Sequence, residues 1–312
     1  IRHEHHDAVE NKSQYPCYIT DSPDAAVDEL VGREAELETL YNLIVNQHKK
    51  LVLSGVGGLG KTELTKRFLD RLVNTEVITS GIEEIAWIPY DNQSICISIQ
   101  RALRLQCDPS EVWQIIQEKA TQLQNRLLLV IDNVENPEED EYLKKISVLQ
   151  CNILVTSRQK ELQGFSDILY LQPLSELSCR KLFYKHYQFD ERDDDVLNDI
   201  ISLTAHLTIM IVFIAKVAYL EGLALHELYG RLVEKGFKLS EEDVSCEHER
   251  LQNDDTIIRQ MCILFSLVKY SDADKTILTY VSIIPNLRFE FKQAKQWFRI
   301  QKNSSLMKLC KM

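Results

Sequence analysis

The run Gly55 to Thr62, Gly-Val-Gly-Gly-Leu-Gly-Lys-Thr, constrains this chain more than any other feature. It follows the apolar triplet Leu51-Val52-Leu53, which has strand character. After it, Leu64, Phe68, Leu69 and Leu72 recur at helical spacing, with Lys66, Arg67 and Asp70 between them. Strand, glycine loop and helix together are the setting in which this spacing works as a P-loop. Gly55, Gly57, Gly58 and Gly60 let the backbone curl so that N–H groups point inward at phosphate oxygens. Leu59 and Glu63 complete the segment that wraps the phosphates, and the new helix contributes its positive end. Lys61 is placed to reach the β- and γ-phosphates, and the Thr62 hydroxyl to ligate Mg²⁺.

At 312 residues the chain is long enough for two domains or three small ones. A net charge of −11 argues against a dedicated nucleic-acid surface. The eight cysteines form no Cys-x-x-Cys pair, so reduced thiols in a cytoplasmic protein are expected. No secretory signal is visible. The longest apolar stretch, Leu207 to Leu220, carries Lys216 and reads as a buried core helix, so no membrane partner is expected. His3-Glu4-His5-His6 reads as a disordered polar end, because nothing nearby completes a metal site.

Residues 1–27 read as a flexible leader, and residues 28–173 as an α/β domain. Its β-type runs are Leu51 to Ser54, Ile85 to Pro89, Leu127 to Asp132, Ile153 to Thr156 and Ile168 to Leu171. Amphipathic pieces such as Ser110 to Gln124 lie between them, which implies a parallel sheet with helices on both faces. After Pro173 the strands stop. Residues 174–238 carry helical patterns at Glu176 to Tyr187, Val196 to Thr204, Leu207 to Leu220 and Leu225 to Glu234. The acidic stretch 239–255 reads as a linker, and helical patterning resumes over 256–312.

A P-loop protein needs an acidic residue at the end of another strand to hold Mg²⁺. Leu127 to Ile131 is continuously apolar, as a central parallel strand should be, and ends in Asp132. Asp132 therefore falls at the edge where open α/β sheets bind ligands. The run Asn152 to Arg158 is a second strand delivering polar residues to that edge. Arg158 can match a γ-phosphate there, because a guanidinium fits phosphate geometry.

In their order, six segments resemble the NB-ARC family, part of the STAND class of signal-transduction ATPases. They are Val31-Gly32-Arg33-Glu34, the P-loop, Ile85 to Ile88, Leu127 to Asp132, Thr156-Ser157-Arg158, and Leu171-Gln172-Pro173-Leu174 through Phe183. The class includes plant disease-resistance and animal apoptosome proteins. The resemblance spans residues 28 to 300 and implies a nucleotide-binding α/β domain, a helical domain and a winged-helix domain. Ile277 to Pro285 would begin the winged helix, which reads as truncated. By this likeness the ligand is ATP or ADP with Mg²⁺, Val31 and Arg33 lie near adenine and ribose, and Arg158 senses the γ-phosphate. ADP would hold the domains closed, and ATP would open them for self-association or for protein partners.

The chain departs from that pattern in places. Asn133 stands where a second acidic residue often activates water, and an amide cannot take a proton. Glu135 is the nearest substitute, so hydrolysis is expected to be slow. His206-Leu207-Thr208-Ile209 stands for Gly-Leu-Pro-Leu, leaving Leu207 to pack on the nucleotide without the proline ring. No Met-His-Asp triplet occurs before Met312. The competing readings are a nucleotide-binding scaffold that no longer hydrolyses, and a P-loop kinase acting on a small molecule. A GTPase is disfavoured because no Asn-Lys-x-Asp follows Asp132.

Overall fold

Five apolar runs rich in Val, Ile and Leu make the strands of one parallel sheet, joined by a short sixth at its edge. They are β1 (Cys17–Tyr18), β2 (Lys50–Ser54), β3 (Glu84–Pro89), β4 (Leu127–Val134), β5 (Asn152–Ser157) and β6 (Asp167–Tyr170). The spatial order is β1-β3-β4-β5-β2-β6, and every pairing is parallel. This is a computed structural model, and it describes residues 14–91, 94–135, 140–189, 192–240 and 250–269. The α/β fold expected from the sequence is the fold found.

Burial on both faces explains why the strands read as unbroken apolar runs. All of β5 is buried, and in β4 Leu127 to Ile131 are fully inaccessible. The helices of this unit are α1 (Glu34–Tyr41), α2 (Lys61–Val73), α3 (Val77–Ser80), α4 (Ile95–Leu103), α5 (Pro109–Leu123) and α6 (Glu141–Lys144). Ile95 and Ile99 of α4 and Val112 and Ile116 of α5 pack with Val52, Ile88, Leu129, Ile131 and Val155 in one core. Local chemistry sets the helix starts. Pro109 opens α5, and the Asp140 carboxylate caps α6 by accepting from the N–H groups of Tyr142 and Leu143.

Residue order matters most around β5. It lies between β2 and β4, with Leu51 opposite Leu154 on one side and Leu129 opposite Ile153 on the other. Its C-terminal residues therefore emerge between the loop after β2 and the end of β4.

The chain divides into two compact units at Gln172/Pro173. The second contains α7 (Glu176–Tyr187), α8 (Asp194–Ser202), α9 (Thr208–Glu221), α10 (Leu225–Glu234) and α11 (Arg250–Leu267). Ser175 and Asp193 cap α7 and α8 through side-chain oxygens. Met210, Ile211, Ile214, Ala215, Val217 and Ala218 of α9 are buried, which is why that stretch is apolar almost all round. The Tyr187 hydroxyl donates to Leu223 O at 3.0 Å. Among the described residues no single helix is long and apolar enough to cross a membrane.

Two expectations need correction. The leader expected to be flexible over 1–27 is ordered structure in part. Cys17 and Tyr18 pair with Glu84 and Ile85, and Thr20 Oγ1 accepts the Trp87 N–H at 2.9 Å. The linker expected over 239–255 runs into α11, which begins at Arg250; its polar first turns hid the helix. Residues 1–13 and 270–312, including the winged-helix segment Ile277 to Pro285, lie outside the described residues.

Candidate functional site

The loop after β2 bends where glycine permits it. Gly55 has φ +153°, and a Cβ there would stand 3.0 Å from Leu171 O and 3.1 Å from Leu59 Cδ1. Gly60 precedes α2 with φ +95°, a left-handed conformation that other residues adopt only under strain. No side-chain hydrogen bond caps the start of α2, which leaves its first-turn N–H groups suited to an anion. Lys61 Nζ donates to Gly55 O at 2.7 Å and Val56 O at 3.0 Å, spanning the loop from within.

A second set of groups closes on Asp132. Its Oδ1 accepts from Thr62 Oγ1 at 3.0 Å and from Thr156 Oγ1 at 2.6 Å. The Thr156 oxygen in turn accepts the Asn133 N–H at 2.9 Å. Here β4 carries one residue more than β5, since Ile131 faces Val155 while Val134 faces Ser157. Asn133 takes up that extra residue with φ +67°, a conformation asparagine tolerates better than most. Burial raises the Asp132 pKa above the ordinary carboxylate value. The hydrogen bonds from Thr156 and Thr62, then the charges of Lys66 and Lys61, act against that rise.

These donors suit the metal expected from the sequence. A hydroxyl and a half-buried carboxylate are hard oxygen ligands, and Mg²⁺ commonly takes one or two carboxylates plus substrate phosphates. Among the described residues no cluster of three His, Cys, Asp or Glu forms a metal cage of its own. Thr62 and Asp132 would hold Mg²⁺, whose charge would offset that of the phosphates.

Arg158 lies over the glycine loop: a Cβ on Gly57 would stand 3.3 Å from its Cζ. Its Nη2 is 3.6 Å from Glu135 Oε1. The strand ends beneath are fixed by three hydrogen bonds. Ser157 Oγ donates to Val134 O at 2.7 Å, Gln159 Nε2 to Glu135 O at 3.0 Å, and Ser54 Oγ to Gln159 O at 2.6 Å. The structure thus brings Gly57, Lys61, Thr62, Asp132, Glu135 and Arg158 to one edge of the sheet.

The other expected residues are placed by their own contacts. Arg33 is only 4% exposed; it pairs with Glu36 Oε1 at 2.8 Å and donates to Leu59 O at 3.3 Å. It ties the turn before α1 to the glycine loop at Leu59. Val31 is half-buried in the turn before α1. Glu63 pairs with Lys66 at 2.9 Å and accepts the Val27 N–H at 3.2 Å, tying the preceding segment to α2. Leu207 belongs to the second unit, where it is fully buried and precedes α9. The sequence reading missed Thr156 as a site residue. The available signal was a polar residue facing the Asp132 strand inside an otherwise apolar run.

A sequence model of the family described as an AAA domain matches residues 45–173. No curated protein matches the chain. Among solved structures, the Walker-type ATPase of Pyrococcus abyssi aligns with a TM-score of 0.50 at 12% identity, covering 94% of this chain and 93% of that one. A Drosophila ORC structure bound to DNA aligns at 0.49 and 12% identity, covering 92% and 80%. The ORC2 protein of Aeropyrum pernix aligns at 0.45 and 14% identity, covering 93% and 87%. The matched segment of this chain is similar to a P-loop ATPase domain and shares its α/β fold.

Proposed function

We propose that this chain is an ATP/ADP-binding molecular switch of the STAND type, in which nucleotide state controls domain opening or self-association. The observation that carries the reading is the convergence of Thr62 and Thr156 on Asp132 beside the Lys61 loop, with Arg158 laid over Gly57. Lys61 and the loop N–H groups hold the phosphates, Thr62 and Asp132 hold Mg²⁺, and Arg158 registers the γ-phosphate. Hydrolysis is slow, because the residue after Asp132 is Asn133, an exposed amide that cannot act as a base. The chain works in the cytoplasm and passes its state to a second copy or a protein partner. The NB-ARC resemblance supports this reading over a metabolic enzyme.

The same Asn133 favours a second reading, a scaffold that binds nucleotide and no longer hydrolyses it. Single-turnover hydrolysis with and without Mg²⁺, followed by light scattering in ATP and in ADP, separates the readings. Slow turnover with a nucleotide-dependent change of mass or shape is expected. Steady turnover above about 1 s⁻¹, the low end of ordinary enzymes, would sink the switch. So would identical behaviour in both nucleotides.

A further inference from the structure

Arg158 stands between two negative claims: Glu135 on its own sheet edge, and the space over Gly57 where phosphate oxygens would come. The guanidinium lies against Gly57, and its Nη2 is 3.6 Å from Glu135 Oε1. Both partners are partly exposed, with side-chain accessibilities of 31% and 27%, so the pair is weak enough to be exchanged. The Glu135 backbone is held in place. Its carbonyl accepts from Gln159 Nε2 at 3.0 Å, and the Gln159 carbonyl is anchored by Ser54 Oγ at 2.6 Å. The carboxylate is therefore a competitor carried on an anchored backbone just past β4, and Arg158, just past β5, is the group that must choose.

We propose that Glu135 sets the selectivity between nucleoside triphosphate and diphosphate by competing with the γ-phosphate for Arg158. Glu135 is thus a specificity-determining residue, distinct from the water-activating base its position first suggests. A triphosphate draws Arg158 from Glu135 and bears the loss of that pair. A diphosphate presents no γ-phosphate and leaves the pair intact. The competition shifts the chain toward the diphosphate form without touching the contacts that bind both nucleotides. This inference rests on the reading of Arg158 as the γ-phosphate sensor.

The test is calorimetric titration of the whole chain with Mg²⁺ and either ADP or a non-hydrolysable ATP analogue. The variants are Glu135→Gln, Arg158→Met and the double substitution. Glu135→Gln is expected to tighten the triphosphate analogue by about two- to fivefold, the range for a partly exposed ion pair, and to leave ADP unchanged. The gain should vanish in the Arg158→Met background and shrink as salt rises. Equal effects on both nucleotides, or weaker binding of the analogue, overturn the proposal. If Arg158→Met lowers triphosphate preference while Glu135→Gln does not raise it, the competition alone fails. If Arg158→Met leaves the preference unchanged, the sensor reading fails with it.

Discussion

Replacing Thr156 with Val removes a hydroxyl while keeping the side chain's shape, and it severs two bonds at once. The donor bond to Asp132 Oδ1 is 2.6 Å long, and a hydrogen bond to a charged group contributes roughly 1.5–3 kcal/mol. The accepted bond from the Asn133 N–H is part-buried and 2.9 Å long, and losing such a bond costs about 0.5–1.5 kcal/mol. These terms share one hydroxyl and do not add fully, and Thr62 Oγ1 still serves the carboxylate at 3.0 Å. A loss of about 2–3 kcal/mol follows, or roughly 5–10 °C in the melting of the first unit, at the slope for domains of its size. Differential scanning calorimetry of the nucleotide-free chain measures it. Thr156→Ser, which keeps the hydroxyl, should restore most of the loss. A drop below about 2 °C, or a serine variant as unstable as the valine one, would refute the view that this hydroxyl ties Asp132 to the sheet.

The remaining predictions concern the loop, the bulge and the thiols. Lys61→Ala should lower affinity for ATP and ADP by about a hundredfold or more, since it removes a charge-assisted contact to phosphate; isothermal titration checks this. Asn133→Val should cost roughly 1–2 kcal/mol by forcing a β-branched residue to φ +67°, whereas Asn133→Gly should be close to neutral. Chemical denaturation of the two variants decides between them. Burial pushes the Cys151 thiol up to about 12 and the Cys96 thiol up to about 11, so neither forms appreciable thiolate at pH 8. Mass-spectrometric mapping of brief alkylation should find the exposed Cys17 and Cys262 modified before Cys96 and Cys151, the latter two slower by on the order of a hundredfold. Their reactivity should increase as pH rises toward those values. Rapid labelling of Cys151 in the native chain would contradict its burial.

What the sequence showed and what it hid follow from the range of the interactions. The P-loop was legible because its glycines, Lys61 and Thr62 are contiguous, and the buried strands because both faces demand apolar residues. Asp132 and Arg158 were legible as polar residues closing such strands. β1 was not, since two residues carry no periodicity and owe their strand form to β3. The bulge at Asn133 was hidden as well, because it depends on the register between β4 and β5. Read as chemistry alone, Asn133 was a missing base; in the structure it is also the residue that turns the strand. Arg33 shows the same limit, as its carbonyl partner Leu59 lies far along the chain.

The insertion of β5 beside the P-loop strand has a consequence for how the molecule is made. β2 leaves the ribosome well before both of its neighbours, since β5 and β6 are encoded roughly a hundred residues downstream. Until Ser157 has emerged, Lys50 to Ser54 have no strand on either side, and until Tyr170 has emerged one side stays open. Long-range parallel pairing is slow, because a large loop must close before any contact repays it. The nucleotide site therefore assembles only after β5 has been made, and a chain cut short before β5 carries the complete motif without its framework. ATP added during refolding should accordingly act on the last step of sheet closure and leave earlier collapse unaffected.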